Sequence, residues 1–260
     1  MMHESIRSNK QGLLLECADA APVVANLPYY YAIHLNVPCN QKCVMCAPYG
    51  NHTDKRMITL DDFAAFFAQI ENVAEHLTLI GGETFMYPWI GEVLDLLAQH
   101  EIAVTINTNA TMLTPDVTPR LLALHELNLR CSVDAATRET YHRIRGTDVF
   151  DKVIANMRRF STTIEGNERT RMILVYVVMR ENLSDVLPFV ELARTFNIDR
   201  VEFLPVRHVT EWQVTNGTGW RFDGREQSCE SFRGEYNDVM REAGRRCEAA
   251  GVRYETHLIP

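Results

Sequence analysis

The run Tyr30-Tyr31-Ala32-Ile33-His34-Leu35-Asn36-Val37-Pro38-Cys39-Asn40-Gln41-Lys42-Cys43-Val44-Met45-Cys46 carries the two features from which the fold is read. Tyr30 to Val37 has the composition of a β-strand, and directly behind it Cys39, Cys43 and Cys46 fall within eight residues. Spacings of four and then three let one loop wrap its thiolates around a single metal centre, and soft thiolates at close quarters select zinc or an iron-sulfur cluster. Three ligands are one short of a closed site. A structural zinc completes its tetrahedron with a fourth protein ligand, here His34 or His52, whereas a cluster intended for chemistry can leave one iron open to a small molecule.

Outward from this run, strand-like stretches alternate with helical patterns. The strands expected are Tyr30 to Val37, His76 to Ile80, Ile102 to Thr108, Leu127 to Val133, Arg171 to Met179 and Arg200 to Val206. Between them, Thr59 reads as an N-cap ahead of Asp61, Asp62 and the apolar stripe Leu60, Phe63, Ala64, Phe67 and Ile70. Further helices are expected from Trp89 to Gln99, Pro115 to Leu124, Asp148 to Phe160 and Ser184, as N-cap, to Phe196. Such βα alternation predicts an α/β fold with a parallel sheet, either doubly wound or curved into a partial barrel. After His208 to Gln227, a stretch carrying Trp212 and Trp220 that could be a lid or a plain connection, Phe232 to Cys247 makes one more helical stripe and Val252 to His257 a last short strand.

Two strands alternate in polarity rather than running apolar throughout. In the fourth, Leu127, Leu129, Cys131 and Val133 oppose Asn128, Arg130, Ser132 and Asp134; in the third, Ile102, Val104 and Ile106 oppose Thr105, Asn107 and Asn109. His34 and Asn36 share the polar parity on the first. If the apolar faces meet outer helices, the polar faces line an interior with the character of a ligand cavity. The alternative is a sheet with one solvated face.

A chain of 260 residues with 46% hydrophobic residues can bury one full core. Its net charge of −8, with no run of Lys or Arg, makes nucleic acid or an anionic membrane an unexpected partner. The first residues have neither signal-peptide nor membrane-span character, and seven cysteines, an odd number with three clustered at one point, argue against a disulfide framework. A cytoplasmic location is expected.

The cysteine loop after the first strand and Gly81-Gly82-Glu83 after the second resemble the radical S-adenosylmethionine (radical SAM) family. The family commonly places an aromatic residue just before the third cysteine; Met45 stands there instead. The resemblance extends over roughly residues 30 to 206. It implies a partial (β/α)6 TIM-like barrel at 29–207, flanked by an N-terminal extension at 1–28 and a C-terminal loop and helix at 208–260. It implies that Cys39, Cys43 and Cys46 hold a four-iron four-sulfur (4Fe-4S) cluster whose fourth iron is chelated by S-adenosyl-L-methionine (SAM). It further implies that Gly81, Gly82 and the carboxylate of Glu83 receive the SAM ammonium group, that Asn107, Asn109, Ser132 and Asp134 border its ribose or methionine part, and that Arg145 pairs with its carboxylate. On their own residues, the glycines would also suit a turn, and Arg145 a surface helix end.

Of the remaining cysteines, Cys131, Cys229 and Cys247 read as packing residues, and Cys17 is uninformative. The dense C-terminal cysteine pattern of the family's SPASM and twitch extensions is not found, so either one cluster suffices or the sequence stops before that extension. The activity implied is hydrogen-atom abstraction by a 5′-deoxyadenosyl radical from a peptide or protein side chain, with a flavodoxin- or ferredoxin-type electron donor. A sugar or aminocyclitol metabolite is the alternative substrate, and a non-catalytic zinc-binding module the alternative of another class.

Overall fold

The computed structural model describes residues 2–46, 54–207, 213–215 and 221–260. Its strands are β1 Tyr30–Asn36, β2 His76–Gly81, β3 Ala103–Thr108, β4 Glu126–Ser132, β5 Thr170–Val178, β6 Arg200–Pro205, β7 Gln213–Thr215, β8 Arg221–Asp223 and β9 Arg253–Glu255. The helices are α1 Met2–Ala18, α2 Leu60–Ile70, α3 Ile90–Leu97, α4 Thr118–Ala123, α5 Arg138–Arg145, α6 Phe150–Thr163, α7 Val186–Ala193, α8 Gly224–Gln227 and α9 Arg233–Ala249.

Strand order decides between the two architectures. The main sheet runs β1-β2-β3-β4-β5-β6-β9, every pair parallel, so each strand is added beside its predecessor and the order never reverses. A doubly wound sheet reverses at a switch point, whereas sequential addition is the barrel's winding. β1 and β9 form its two edges, so this is a partial TIM-like barrel with seven strands rather than six. β7 and β8 make a separate antiparallel pair.

The alternation in the strands is resolved as an outer apolar and an inner polar layer. Leu127, Leu129 and Cys131 of β4 are fully buried with Phe63, Phe67, Val93, Leu97, Val153 and Met157 from the surrounding helices. On the other face, Arg130 donates to Asn107 Oδ1 of β3 at 3.3 Å and to Glu202 of β6, two strands away. His76 on β2 meets the Thr105 hydroxyl of β3 at 2.8 Å and stacks on Tyr30 of β1. The inner face thus carries hydrogen-bonded polar side chains across the sheet, with Tyr30, Ala32 and His34 on edge strand β1 remaining exposed.

Several boundaries differ from the sequence reading for local reasons. The segment before β1 holds a helix, α1, tied down by Lys10 on Glu75 at 2.5 Å; its apolar residues lack clear periodicity, and Leu14 and Leu15 stand exposed. Thr59 caps α2 as expected, accepting from the Asp62 amide at 3.1 Å. α4 begins at Thr118 with Pro119 in its first turn, not at Pro115. Ser184 caps nothing, because Arg180–Asp185 forms a 3₁₀ turn held by Asn182 Oδ1 accepting from the Met179 amide at 2.8 Å. α5 is an additional helix, capped by Thr137 and ended by Gly146 in the left-handed region at φ 68°. Within His208 to Gln227, residues 208–212 and 216–220, with Trp212 and Trp220, lie outside the described residues, and the rest holds β7, β8 and α8.

Candidate active site

The cysteine loop is anchored at both ends. At its root, the Gly82 amide donates to Asn36 O at 2.8 Å and the Glu83 amide to Pro38 O at 2.9 Å. At its tip, the Lys42 and Val44 amides donate to the carbonyls of Arg145 and Ile144, both at 3.0 Å, so the end of α5 extends into the loop. Val44 then packs with Ile144, Met179, Val206 and Phe222 in a small buried cluster.

Both anchors use glycine because main chain passes against main chain. A Cβ on Gly82 would stand 2.0 Å from Val37 O, one on Gly81 2.3 Å from Asn36 Oδ1, and one on Gly146 2.9 Å from Lys42 O. Gly81 and Gly82 line the cavity described below, yet the approach that excludes a side chain from them comes from residues 36–38.

Glu83 lies inside the protein, with 0% exposure. Its carboxylate accepts from Thr108 Oγ1 at 2.6 Å, the Asn109 amide at 2.7 Å and the Phe85 amide at 3.1 Å. Burial pushes its pKa above the usual range, against the pull of these donors and of Arg145. A side chain this fully engaged clamps the end of β3 to the end of β2; it is not among the residues lining the cavity.

Asn109 continues the clamp, donating to Asn40 Oδ1 at 2.8 Å and to Cys39 Sγ at 3.8 Å. Ala110 follows in the left-handed region at φ 59°, held by Thr108 Oγ1 and by Asn156. Asp134, at φ 62°, sits just past β4 and is over-determined in the same way. It accepts from the Val177 amide at 2.7 Å, its carbonyl accepts from Asn182 Nδ2 at 2.9 Å, and its carboxylate lies 2.5 Å from Arg145 Nη2.

Arg145 is buried rather than at the surface. Besides Asp134, its Nη1 donates to Cys43 Sγ and Gln41 Oε1, each at 3.4 Å, while its Nε is buried without a partner. Gln41, itself buried, donates to the Tyr141 hydroxyl at 2.5 Å. Gln41 and Tyr141 carried no sequence signal, since Gln41 stands between the cysteines of the loop, Tyr141 lies 100 residues away, and nothing local links them.

These groups surround one cavity of about 290 Å³, lined by Cys39, Cys43, Cys46, Gly81, Gly82, Asn107, Asn109, Ser132, Asp134 and Arg145, with Gln41, Met45, Thr108 and Val177 between them. Of the expected site residues, all but Glu83 border it. A larger, more open depression of about 400 Å³ lies at the other end of the strands, around Thr170, Arg171 and Asp199, and contains no cysteine.

The cavity suits a thiolate-held cluster. No three of the described His, Cys, Asp or Glu side chains converge on a point that would hold a single ion. A four-iron cube takes each thiolate on a different iron, so its sulfurs are spread around its volume; His52, offered beside His34 as a fourth zinc ligand, lies outside the described residues. Cationic Arg145, with an unpartnered Nε–H, complements an anionic occupant. Burial pushes the Cys39 thiol up to about 11 and raises Cys43 as well, so metal binding must displace their protons.

The family model for the radical SAM superfamily matches residues 36–193, more than half of the chain. The chain belongs to the radical SAM superfamily. Its cofactors are accordingly a 4Fe-4S cluster and SAM. Among curated proteins it is 25% identical over 163 residues to the mycofactocin maturase of Mycobacterium tuberculosis, covering 62% of this chain and 41% of that protein. It is 26% identical over 179 residues to the AdoMet-dependent heme synthase of Methanosarcina barkeri, covering 66% and 48%. The chain therefore spans about half the length of the curated relatives it matches. Among solved structures, Streptococcus suis SuiB bound to S-adenosylmethionine superposes with a TM-score of 0.73 at 17% identity, covering 98% of this chain and 56% of that one. This likeness establishes the radical SAM barrel fold. None of the described helices is long and apolar enough to cross a membrane.

Proposed function

We propose that this chain is the catalytic barrel of a radical SAM enzyme that takes a hydrogen atom from a peptide side chain. The observation that carries this reading is the single cavity in which three thiols meet Gly81, Gly82 and the polar ends of β3 and β4. Held in this cavity, a cluster and SAM would supply one-electron reductive cleavage of the sulfonium, to methionine and a 5′-deoxyadenosyl radical able to abstract hydrogen.

The chain's own residues position, shield and separate the reacting groups. Cys39, Cys43 and Cys46 offer three thiolates on a loop fixed by backbone bonds at both ends. Gly81 and Gly82 present main chain to the cavity, while Ser132, Asn107 and Asn109 supply hydrogen-bonding groups for the polar parts of SAM. Glu83 acts one step removed, by holding the Thr108–Asn109 corner where those groups are offered. Burial of Val44, Met179 and Phe222 behind the loop excludes water from that side.

A peptide as substrate is supported by the relatives. One is named a mycofactocin maturase, and SuiB has been solved bound to its precursor peptide SuiA. A flavodoxin- or ferredoxin-type protein is the proposed electron donor, and the cytoplasm, which keeps such clusters reduced, the proposed location. The test is isotopic. Anaerobically prepared protein is incubated with dithionite, SAM and deuterated candidate peptides, and 5′-deoxyadenosine is weighed by mass spectrometry. Deuterium in that product supports the reading; 5′-deoxyadenosine that stays unlabelled with every peptide, yet gains label from a small metabolite, contradicts the peptide assignment.

A further inference from the structure

Arg145 raises a question that its motif does not answer. If its guanidinium served only to pair with a ligand carboxylate, its fork would face the cavity with its donors available. Instead Nη2 is taken by Asp134 at 2.5 Å and Nη1 points at Cys43 Sγ at 3.4 Å. Only Nε lacks a partner. Both members of the ion pair are buried, Asp134 at 0% and Arg145 at 6% exposure, where a lone charge would be costly and a fixed one acts over short range with little screening.

The anchoring is elaborate for a simple ion pair. Asp134 is held in a left-handed conformation by Val177 and Asn182, from β5 and the turn after it. Arg145 ends α5, and its own carbonyl accepts the Lys42 amide next to Cys43. The guanidinium is therefore fixed against the sulfur from two directions: through its side chain by Asp134, and through its main chain by the cysteine loop. Gln41 fills the remaining space beside Nη1 and is itself fixed by Tyr141.

We propose that Arg145, positioned by Asp134, is a tuning residue for the cluster, its N–H donating to the Cys43 thiolate so that the cluster accepts an electron more readily. The proposal rests on the radical SAM reading above. Hydrogen bonds to ligand sulfurs and nearby positive charge both favour the reduced, more negative cluster. The step is a gain of one electron, supplied by dithionite or a flavodoxin-type donor, with no bond made or broken. Arg145 is thus a positioning and electrostatic residue whose effect exists before SAM arrives.

The decisive experiment omits SAM. Anaerobically reconstituted wild type, Arg145→Gln and Arg145→Lys are titrated with dithionite in the presence of mediators, and the reduced cluster is followed by electron paramagnetic resonance. Arg145→Gln should move the midpoint negative by about 59 mV, a tenfold change in a one-electron equilibrium. Arg145→Lys keeps the charge but cannot serve Asp134 and Cys43 together, and should fall between the two. Equal midpoints in all three proteins, each with about four irons, would overturn the proposal and leave Arg145 to SAM alone. If both variants fold, by circular dichroism, but lose the cluster while Arg143→Gln retains it, Arg145 serves to hold the loop rather than to set the potential, which would also overturn the proposal. A wild type that holds no four-iron cluster would instead overturn the radical SAM reading itself.

Discussion

A Cβ placed on Gly82 would stand 2.0 Å from the carbonyl oxygen of Val37, far inside any tolerable contact. The end of β2 and the root of the cysteine loop are therefore locked together by the absence of a side chain. Gly82→Ala must push residues 37 and 38 away and so displace Cys39. We expect iron content after reconstitution to fall at least several-fold and stability to drop by about 1–3 kcal/mol, as for an overpacked site. Gly234→Ala, in the first turn of α9 with nothing near its Cβ position, should be neutral or stabilising by about 0.4–1 kcal/mol and leave iron content unchanged. Urea denaturation together with iron analysis of both variants checks the contrast.

Glu83 provides a test of whether its carboxylate works on a ligand or on the fold. Because it accepts three protein donors while buried, Glu83→Gln turns one acceptor into a donor facing another donor. An unsatisfied buried group costs about 1–3 kcal/mol. The metal-free, SAM-free variant should therefore unfold at lower urea concentration than the wild type. An unchanged midpoint would mean that the carboxylate is free to serve SAM.

Much of this was legible in the chain. Strand positions follow from apolar runs, and all six expected core strands match within a residue at each end. The alternation of Leu127 to Asp134 foretold an outer core and an inner polar face because parity along a strand is local. What was hidden depends on distance in sequence. Gln41 meets Tyr141, and Asp134 meets Arg145, only because α5 turns back onto the cysteine loop. Glu83 carries a motif that suggests a ligand, but its burial comes from Thr108 and Asn109 on the next strand. α1 lacked a periodic apolar stripe and so gave no helical signal.

The Cys39 and Cys43 thiols of the metal-free protein should be sluggish despite their place in the cavity. Burial raises Cys39 to about 11, and only the thiolate attacks an alkylating agent. Below that value the thiolate fraction grows about tenfold per pH unit, so iodoacetamide modification of Cys39 should rise steadily from pH 7 to 10 without a plateau. Peptide mapping by mass spectrometry checks this, with exposed Cys17 as an internal reference. A plateau near pH 8 at Cys39 would contradict the assigned environment.

The central claim is that the three-cysteine cavity cleaves SAM, and one paired measurement tests it most directly. Anaerobically purified wild type and Cys43→Ala are each incubated with SAM and dithionite, and iron and 5′-deoxyadenosine are quantified together. The account predicts about four irons per wild-type chain, the content of a 4Fe-4S cluster, with 5′-deoxyadenosine formed by wild type and abolished in Cys43→Ala. Stoichiometric zinc in colourless wild-type protein, or 5′-deoxyadenosine unaffected by the loss of Cys43, would contradict it.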